Sequence, residues 1–285
     1  MFNRAHKYSA KVFFIAIITI FISILSCSNP PKQHKTRVIC HRGSGIGITI
    51  IDGDTFFENT LEAINYGFQN FDGVEIDIQM SLSGTIWVFH NCEINILDTS
   101  NYFCIPSSTD EQIKIANSKL PKYQQLCTLE EVLKLHQSQF MEDFISLDLK
   151  GYFDAECLSQ RNVSKEYEIS IANEIVRLTN KYKMQDFIMV ETNYTNALDQ
   201  IKSKNSNIEC YFLAYNQFEK NLEKAIDKNY NGLSFNFRDT SLNSTTLQKA
   251  HNSNMKVQVW TIANKEDMQR AKVLKPDFIQ SDILP

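Results

Sequence analysis

Neither sign of charge dominates this chain: the net charge is −4 over 285 residues, and acidic and basic side chains are interspersed. Without a basic patch there is no electrostatic footprint for nucleic acid, and without an acidic tail there is no solvating role. None of the seven cysteines stands in a CxxC pair, which argues against a zinc cluster. Internal repeats and low-complexity segments are absent, and no apolar run reaches the roughly 20 residues that a membrane-spanning helix needs. What remains is a chain with 43% hydrophobic and 22% charged residues, long enough for one large core but not for two independent large domains.

The first residues form a separate unit. Arg4, Lys7 and Lys11 precede an apolar run from Val12 to Leu25 broken only by Thr19 and Ser23, which reads as the hydrophobic region of a signal peptide. Ile24-Leu25-Ser26-Cys27 resembles the bacterial lipobox, in which the cysteine is acylated and becomes the mature N-terminus. The expected organisation is a lipoprotein signal peptide over residues 1–27, an extended tether over 28–35 containing Pro30 and Pro31, and one catalytic-size domain over 36–285. Such a protein is exported and held to a bacterial membrane through lipid on Cys27. Of the other cysteines, Cys40, Cys92, Cys104, Cys127, Cys157 and Cys210, only Cys92 and Cys104 lie close in sequence. Export permits disulfides, most such cysteines are small buried apolar residues, and whether any of these is bridged stays open.

From Thr36 onward, short β-branched apolar runs alternate with longer amphipathic stretches, the signature of an α/β fold. The strand candidates are 37–40, 73–79, 85–90, 144–149, 187–191, 209–214, 232–236, 257–261 and 277–280, with helical patterns over 60–70, 128–137, 166–183, 193–204, 218–229, 241–253 and 265–274. Nine strands suggest a TIM-type eight-stranded barrel with one irregular member; a doubly wound open sheet is the alternative. Between Asp77 and His90 only twelve residues intervene, so this segment is a hairpin. A two-residue turn at Ser83-Gly84 would set Asp77 directly opposite His90.

Functional groups gather at the ends of these strands, where a parallel barrel carries its active site. His41 and Arg42 follow the first strand, Glu75 and Asp77 share one face of the second, His90 ends the third, and Asp148 and Lys150 end the fourth. Together they supply what phosphodiester cleavage requires: a general base, a general acid, a hard cation, and Arg or Lys donors for the phosphate. Carboxylate oxygens from Glu75, Asp77 and Asp148 suit one Ca²⁺ or Mg²⁺ rather than a soft metal.

The runs Val38-Ile39-Cys40-His41-Arg42-Gly43, Glu58-Asn59-Thr60, Val74-Glu75-Ile76-Asp77-Ile78 and Val88-Phe89-His90 resemble the N-terminal signature of the glycerophosphodiester phosphodiesterases. Thr128 to Leu133, Ser146 to Lys150, Val259-Trp260-Thr261 and Asp277 to Asp282 continue the resemblance to the end of the chain. It implies a distorted TIM barrel of the phospholipase C-like type and release of sn-glycerol 3-phosphate and an alcohol from a small glycerophosphodiester. His41 and His90 would be base and acid in either order, and Glu75, Asp77 and Asp148 would hold the cation. Arg42 and Lys150 would hold phosphate, Glu58 would support the site, and Trp260 would lie on the glycerol side.

Three positions depart from the family pattern: Asn91 replaces the usual Asp after the second histidine, Phe57 replaces a Pro, and Asp148 replaces a Glu. The loop from Ser44 to Phe57, with Asp52 and Asp54, reads as solvated, with shaping of the substrate entrance as the alternative. Two other readings stay open at this point. One is phospholipase C or D action on intact lipids or a wall polymer, which an apolar rim beside the pocket would favour; the other is a non-catalytic phosphodiester-binding lipoprotein. The sequence carries no cue to oligomeric state.

Overall fold

A computed structural model of the chain describes residues 35–91, 93–95, 102–150 and 164–285; the expected signal peptide and all of the tether but Lys35 lie outside them. In chain order the strands are β1 (Arg37–Cys40), β2 (Ile48–Ile51), β3 (Asp54–Phe57), β4 (Gly73–Met80), β5 (Ile86–Val88), β6 (Glu93–Asn95) and β7 (Tyr102–Cys104). They continue with β8 (Cys127–Thr128), β9 (Phe144–Leu149), β10 (Ile188–Thr192), β11 (Glu209–Ala214), β12 (Gly232–Asn236), β13 (Lys256–Ile262) and β14 (Phe278–Ser281). The helices are α1 (Leu61–Asn70), α2 (Asp110–Asn117), α3 (Leu129–Gln139), α4 (Lys165–Tyr182), α5 (Thr195–Lys204), α6 (Phe218–Asp227), α7 (Ser244–Asn252) and α8 (Lys265–Leu274).

Strands β1, β4 and β9 to β14 run parallel, and β1 pairs with both β4 and β14, so the sheet closes on itself as an eight-stranded barrel. That closure excludes the open doubly wound sheet. Helix N-termini are capped by the residues that favour such positions: Thr60, Thr128, Ser164, Asn243 and Asn264 each accept a backbone N–H. The apolar faces of the helices close over the outside of the barrel, burying residues such as Ile76, Leu147, Ile171 and Leu198 completely. Truncating one of them, Leu147→Ala for instance, costs about 2–5 kcal/mol in a core that cannot collapse onto the cavity.

Inside the barrel the period of two along each strand builds layers. Ile39, Met189, Tyr211 and Phe278, with Phe144 against them, plug the N-terminal end. Two residues further along the same inner faces come Ser146, Glu191 and Gln280, joined by Ser234 and Gln258 in a buried polar network. Another two residues along β9 stands Asp148, at the C-terminal mouth.

The irregular member is β5, which turns back antiparallel on β4 and pairs onward with β8. The turn, however, is one residue longer than the sequence suggested. Ser81 N–H donates to Thr85 O at 2.9 Å, closing a three-residue loop whose last member, Gly84, takes a positive φ of 86°. Ile78 therefore pairs with Val88, Phe89 N–H donates to Asp77 O at 2.9 Å, and His90 lies one residue beyond direct opposition to Asp77. Residues 44–57, read as a solvated loop, contain the β2–β3 hairpin. Cys40, Cys127 and Cys210 are free and buried as expected. Cys104, one of the pair close in sequence, is disulfide-bonded, to a partner outside the described residues.

Candidate active site

The turn after β1 brings the first histidine and the arginine into the mouth. His41-Arg42-Gly43 makes a single 3-10 turn in which Arg42 adopts a left-handed conformation with φ 53°. Gly43 follows with φ 80°, and a Cβ there would stand 2.7 Å from the backbone nitrogen of Ile64. The tight packing of this turn on α1 is therefore open only to glycine.

His41 is 8% exposed. Its Nδ1 lies 2.7 Å from Asp282 Oδ1, and its Nε2 lies 3.7 Å from Glu75 Oε2. A carboxylate only accepts, so Nδ1 carries the proton and Nε2 of the neutral ring is an acceptor. Asp282, one residue past β14, had no role in the sequence reading; a carboxylate just beyond the last barrel strand was the available signal.

Glu75 and Asp77 project from β4 and Asp148 from β9, with Asp77 and Asp148 in register on adjacent strands. Oxygen atoms of all three lie within 4.8 Å of one another. Burial and the negative charges of Asp77 and Asp148 push the Glu75 carboxyl well above the usual carboxylate range. Asp148 is also raised, by burial against the opposing charge of Lys150. Burial acts on Asp77 in the same direction, but Lys150, Arg42, His90 and a hydrogen bond from Asn59 outweigh it and hold Asp77 below that range. Glu75 Oε1 and Asp148 Oδ1 are buried with no hydrogen-bond partner. Three carboxylates gathered this closely, two of them with a buried unsatisfied oxygen, are what a hard divalent cation satisfies, so the donor set fits such an ion.

The basic groups interlock with these acids. Lys150 Nζ lies 2.5 Å from Asp148 Oδ2 and 3.1 Å from Asp77 Oδ1. Arg42 donates through Nη1 to both oxygens of Glu58 at 2.9 and 3.0 Å, and its Nε stands 3.4 Å from Asp77 Oδ2. Glu58 also accepts from Gly47 N–H at 2.6 Å. Its part is thus to grip Arg42 and the base of the β2–β3 hairpin, apart from the acidic cluster. Asn59, another residue without a role in the sequence reading, donates to Asp77 Oδ2 at 2.7 Å and accepts Asp77 N–H at 3.0 Å.

His90 sits on the segment after β5, with Nδ1 2.9 Å from Asn91 Oδ1. Its backbone is held from below by Gln79, fully buried on β4, whose Nε2 donates to Phe89 O at 2.9 Å and Asn91 O at 2.6 Å. The one-residue change in hairpin register does not separate the site, because His90 lies beyond the end of β5, where strand alternation no longer applies. His41, Arg42, His90, Asp148, Lys150 and Trp260 line one cavity of about 160 Å³, together with Ile46, Glu191, Leu213, Tyr215, Thr261 and Gln280. Trp260 packs edge-on against Tyr215 with ring centres 5.2 Å apart. Glu191 had also gone unremarked. Burial and the charge of Asp148 raise it to about 7 against the hydrogen bonds from Ser234 and Ser146. A larger groove of about 590 Å³ beside α8 holds no histidine, and its arginines face Asp267.

A parallel barrel whose C-terminal mouth gathers two imidazoles, three acids and two cationic side chains has the equipment of a phosphodiester hydrolase. The chain belongs to the glycerophosphoryl diester phosphodiesterase family, whose model matches residues 41–283, and it is an enzyme of that type. It is 22% identical over 236 residues to the uncharacterized protein YqiK of Bacillus subtilis (strain 168), covering 82% of this chain and 90% of that one. Among solved structures it resembles an Oleispira antarctica phosphodiesterase in complex with the product sn-glycerol-3-phosphate (TM-score 0.67, 20% identity, 87% of this chain and 93% of that one). It also resembles a glycerophosphodiester phosphodiesterase from Parabacteroides distasonis (TM-score 0.66, 18% identity, 87% and 93%). At these identities the two structures speak for the shared barrel.

Proposed function

We propose that this enzyme hydrolyses glycerophosphodiesters to sn-glycerol 3-phosphate and an alcohol, with His41 and His90 moving the protons and with Glu75, Asp77 and Asp148 holding one divalent cation, Ca²⁺ or Mg²⁺. The observation that carries the reading is the single cavity lined by both histidines, Asp148 and Lys150, directly over an acidic trio with two unsatisfied oxygens. A cation bound there would supply Lewis-acid polarisation of the phosphate.

Asp282 keeps the Nδ1 proton of His41 in place, so Nε2 is free to accept a proton and Asp282 stabilises the imidazolium that results. That makes His41 the base, whether its target is water or the glycerol hydroxyl, and leaves His90, backed by the neutral Asn91, to protonate the departing alcohol. Lys150 and Arg42 place positive charge beside the phosphate, and Trp260 with Leu213 offers an apolar wall to the carbon skeleton. Purified protein should release choline from glycerophosphocholine, stop on chelation with EDTA, and resume on adding Ca²⁺ or Mg²⁺; activity persisting in EDTA would remove the cation from the account.

The same reading places the protein outside the cytoplasm on a lipid carried by Cys27. The apolar run ending in Leu25-Ser26-Cys27 supports it, as does the disulfide at Cys104, since such bonds persist in oxidising compartments. Mass spectrometry of the mature N-terminus should find an acylated Cys27, and Cys27→Ala should release the protein from the membrane fraction. A wild-type protein retaining Met1 and fractionating as soluble would contradict the anchor.

A further inference from the structure

Glu191 puts a charged side chain into a layer of the barrel that is otherwise built from neutral polar groups. It stands on β10 in register with Asp148 of β9, is 1% exposed, and lines the same cavity as the two histidines. Its Oε1 accepts from Ser146 Oγ at 2.9 Å and from Gln280 Nε2 at 2.5 Å, and its Oε2 accepts from Ser234 Oγ. Donors from three strands thus converge on a group that, when ionised, only accepts. Gln258 Nε2 ties the two serines together, at 3.4 Å from Ser146 Oγ and 3.2 Å from Ser234 Oγ. Among the described residues no ion pair reaches Glu191, and Lys150 is engaged by Asp148 at 2.5 Å and by Asp77 at 3.1 Å.

A buried carboxylate without a cationic partner is costly, and more so beside other acids. After burial, the charge of Asp148 is what raises the Glu191 carboxyl, and Glu191 in turn adds to burial and to the charges of Asp77 and Asp148 in raising Glu75. A glutamine would fill the same space without this repulsion. Glu191 also stands apart from the ligand set: the oxygens that gather within 4.8 Å belong to Glu75, Asp77 and Asp148, and both Glu191 oxygens already hold hydrogen bonds. Ser146, which it accepts from, is the register partner of Glu75 and stands two residues before Asp148 on β9. By that hydrogen bond and by its charge, Glu191 is joined to the two ligands that each keep a buried oxygen without a partner.

We propose that Glu191 is a positioning residue for the cation: a negative charge outside the ligand set that strengthens the hold of Glu75, Asp77 and Asp148 on the ion and is itself stabilised only when the ion is bound. The proposal rests on the cation reading given above and extends it to an acid that is not a ligand. Its consequence is a pair of opposite effects, because the same charge that tightens the ion destabilises the cation-free barrel.

Calorimetric titration with Ca²⁺ and Mg²⁺, and thermal unfolding at pH 8 with and without the ion, test this on the full-length protein, on Glu191→Gln and on Gln258→Leu. Glu191→Gln should weaken cation affinity about tenfold or more, the scale of a group acting behind a metal ligand, and should raise the Tm of the cation-free protein. Gln258→Leu, which opens the network but keeps the charge, should lower Tm and leave affinity within about twofold of the wild type. A packing role alone would instead lower Tm in both variants with affinity unchanged. Unaltered affinity in Glu191→Gln would overturn the proposal, as would a lower cation-free Tm in that variant or equal losses of affinity in the two. Glu191→Ala, which removes charge and hydrogen bonds together, should weaken the ion as Glu191→Gln does; full affinity there would overturn the proposal even if the glutamine variant failed to fold. A wild type that binds neither ion would refute the cation site itself, whereas tight binding indifferent to Glu191 would refute only the role given to this residue.

Discussion

The two histidines of the site stand in different surroundings. His41 is buried, fixed by a turn that only Gly43 permits, and backed by a carboxylate at 2.7 Å. His90 is partly exposed, sits on a segment beyond the last residue of β5, and is backed by the neutral side chain of Asn91 at 2.9 Å. His41 thus meets a carboxylate through a direct hydrogen bond, whereas His90 has a neutral amide at Nδ1 and meets negative charge only through the nearby Asp77 and Asp148. In the proposed mechanism one imidazole receives a proton and the other gives one up, and the difference lies in their neighbours rather than in the residues themselves.

The largest effect expected from this comparison is that of removing either ring. His41→Ala and His90→Ala should each lower kcat on glycerophosphocholine by about 10³-fold or more with the fold retained by circular dichroism; a folded, active double variant would end the assignment. Next, Asp282→Asn should cost about a hundredfold in kcat with KM little changed, because the amide can hold the ring but cannot stabilise its charge, and Asn91→Ala should cost less than tenfold. Equal losses at the two positions would erase the asymmetry. Gln79→Leu, which frees the backbone carrying His90 without touching substrate, should lower kcat a few-fold and leave the Asp282 variant's defect unchanged in size.

The smallest effect is on stability and follows from the buried acids. Glu75, Asp148 and Glu191 have raised folded-state values, so the native state binds their protons more tightly than the unfolded chain does. Their stabilising contribution is complete below the ordinary carboxylate value and is lost as pH rises through the folded value, for Glu191 between 4.5 and about 7. Asp77, held low, contributes in the opposite sense, but at more acid pH. Cation-free protein should therefore lose a few degrees of Tm between pH 5 and pH 8, about 4–8 °C per kcal/mol in a small domain and less in one of this size. Added Mg²⁺ or Ca²⁺ should restore more Tm at the higher pH. A Tm shift on cation addition that is larger at pH 5 would contradict the placement of the ion among these acids.

Much of this architecture was legible in the residues. Strands β1, β9, β11 and β12 end where their apolar runs end, and Glu75, Asp77 and Asp148 stand together because their strands are neighbours in the barrel. The β4–β5 hairpin was foreseen but its register was not, because a loop of two or three residues fits Leu82-Ser83-Gly84 equally well until the packing of Ile78 against Val88 decides it. The β2–β3 hairpin was missed because its Ile48-Thr49-Ile50 alternation is short and turns the isoleucines to water, so that with Asp52 and Asp54 at its turn the segment reads as a solvated loop. Asp282, Gln79, Asn59 and Glu191 act through partners 241, 10, 18 and 45 residues away, and such pairings become visible only once the barrel closes. Arg42 and Glu58 were read as separate functions, a phosphate donor and a supporting acid, yet they form one bridged unit. Bridging at Cys104 was left open, because spacing alone does not distinguish a bridged thiol from a packed one.

The claim at the centre of this account is that one divalent ion and one phosphate meet between the two imidazoles. Crystals grown with Mn²⁺ and sn-glycerol 3-phosphate and measured at the manganese absorption edge test it directly. The account predicts a single anomalous peak coordinated by Glu75, Asp77 and Asp148, with phosphate oxygens in hydrogen-bond reach of His41 Nε2 and of His90. An ion bound elsewhere, or a phosphate remote from either ring, would contradict it.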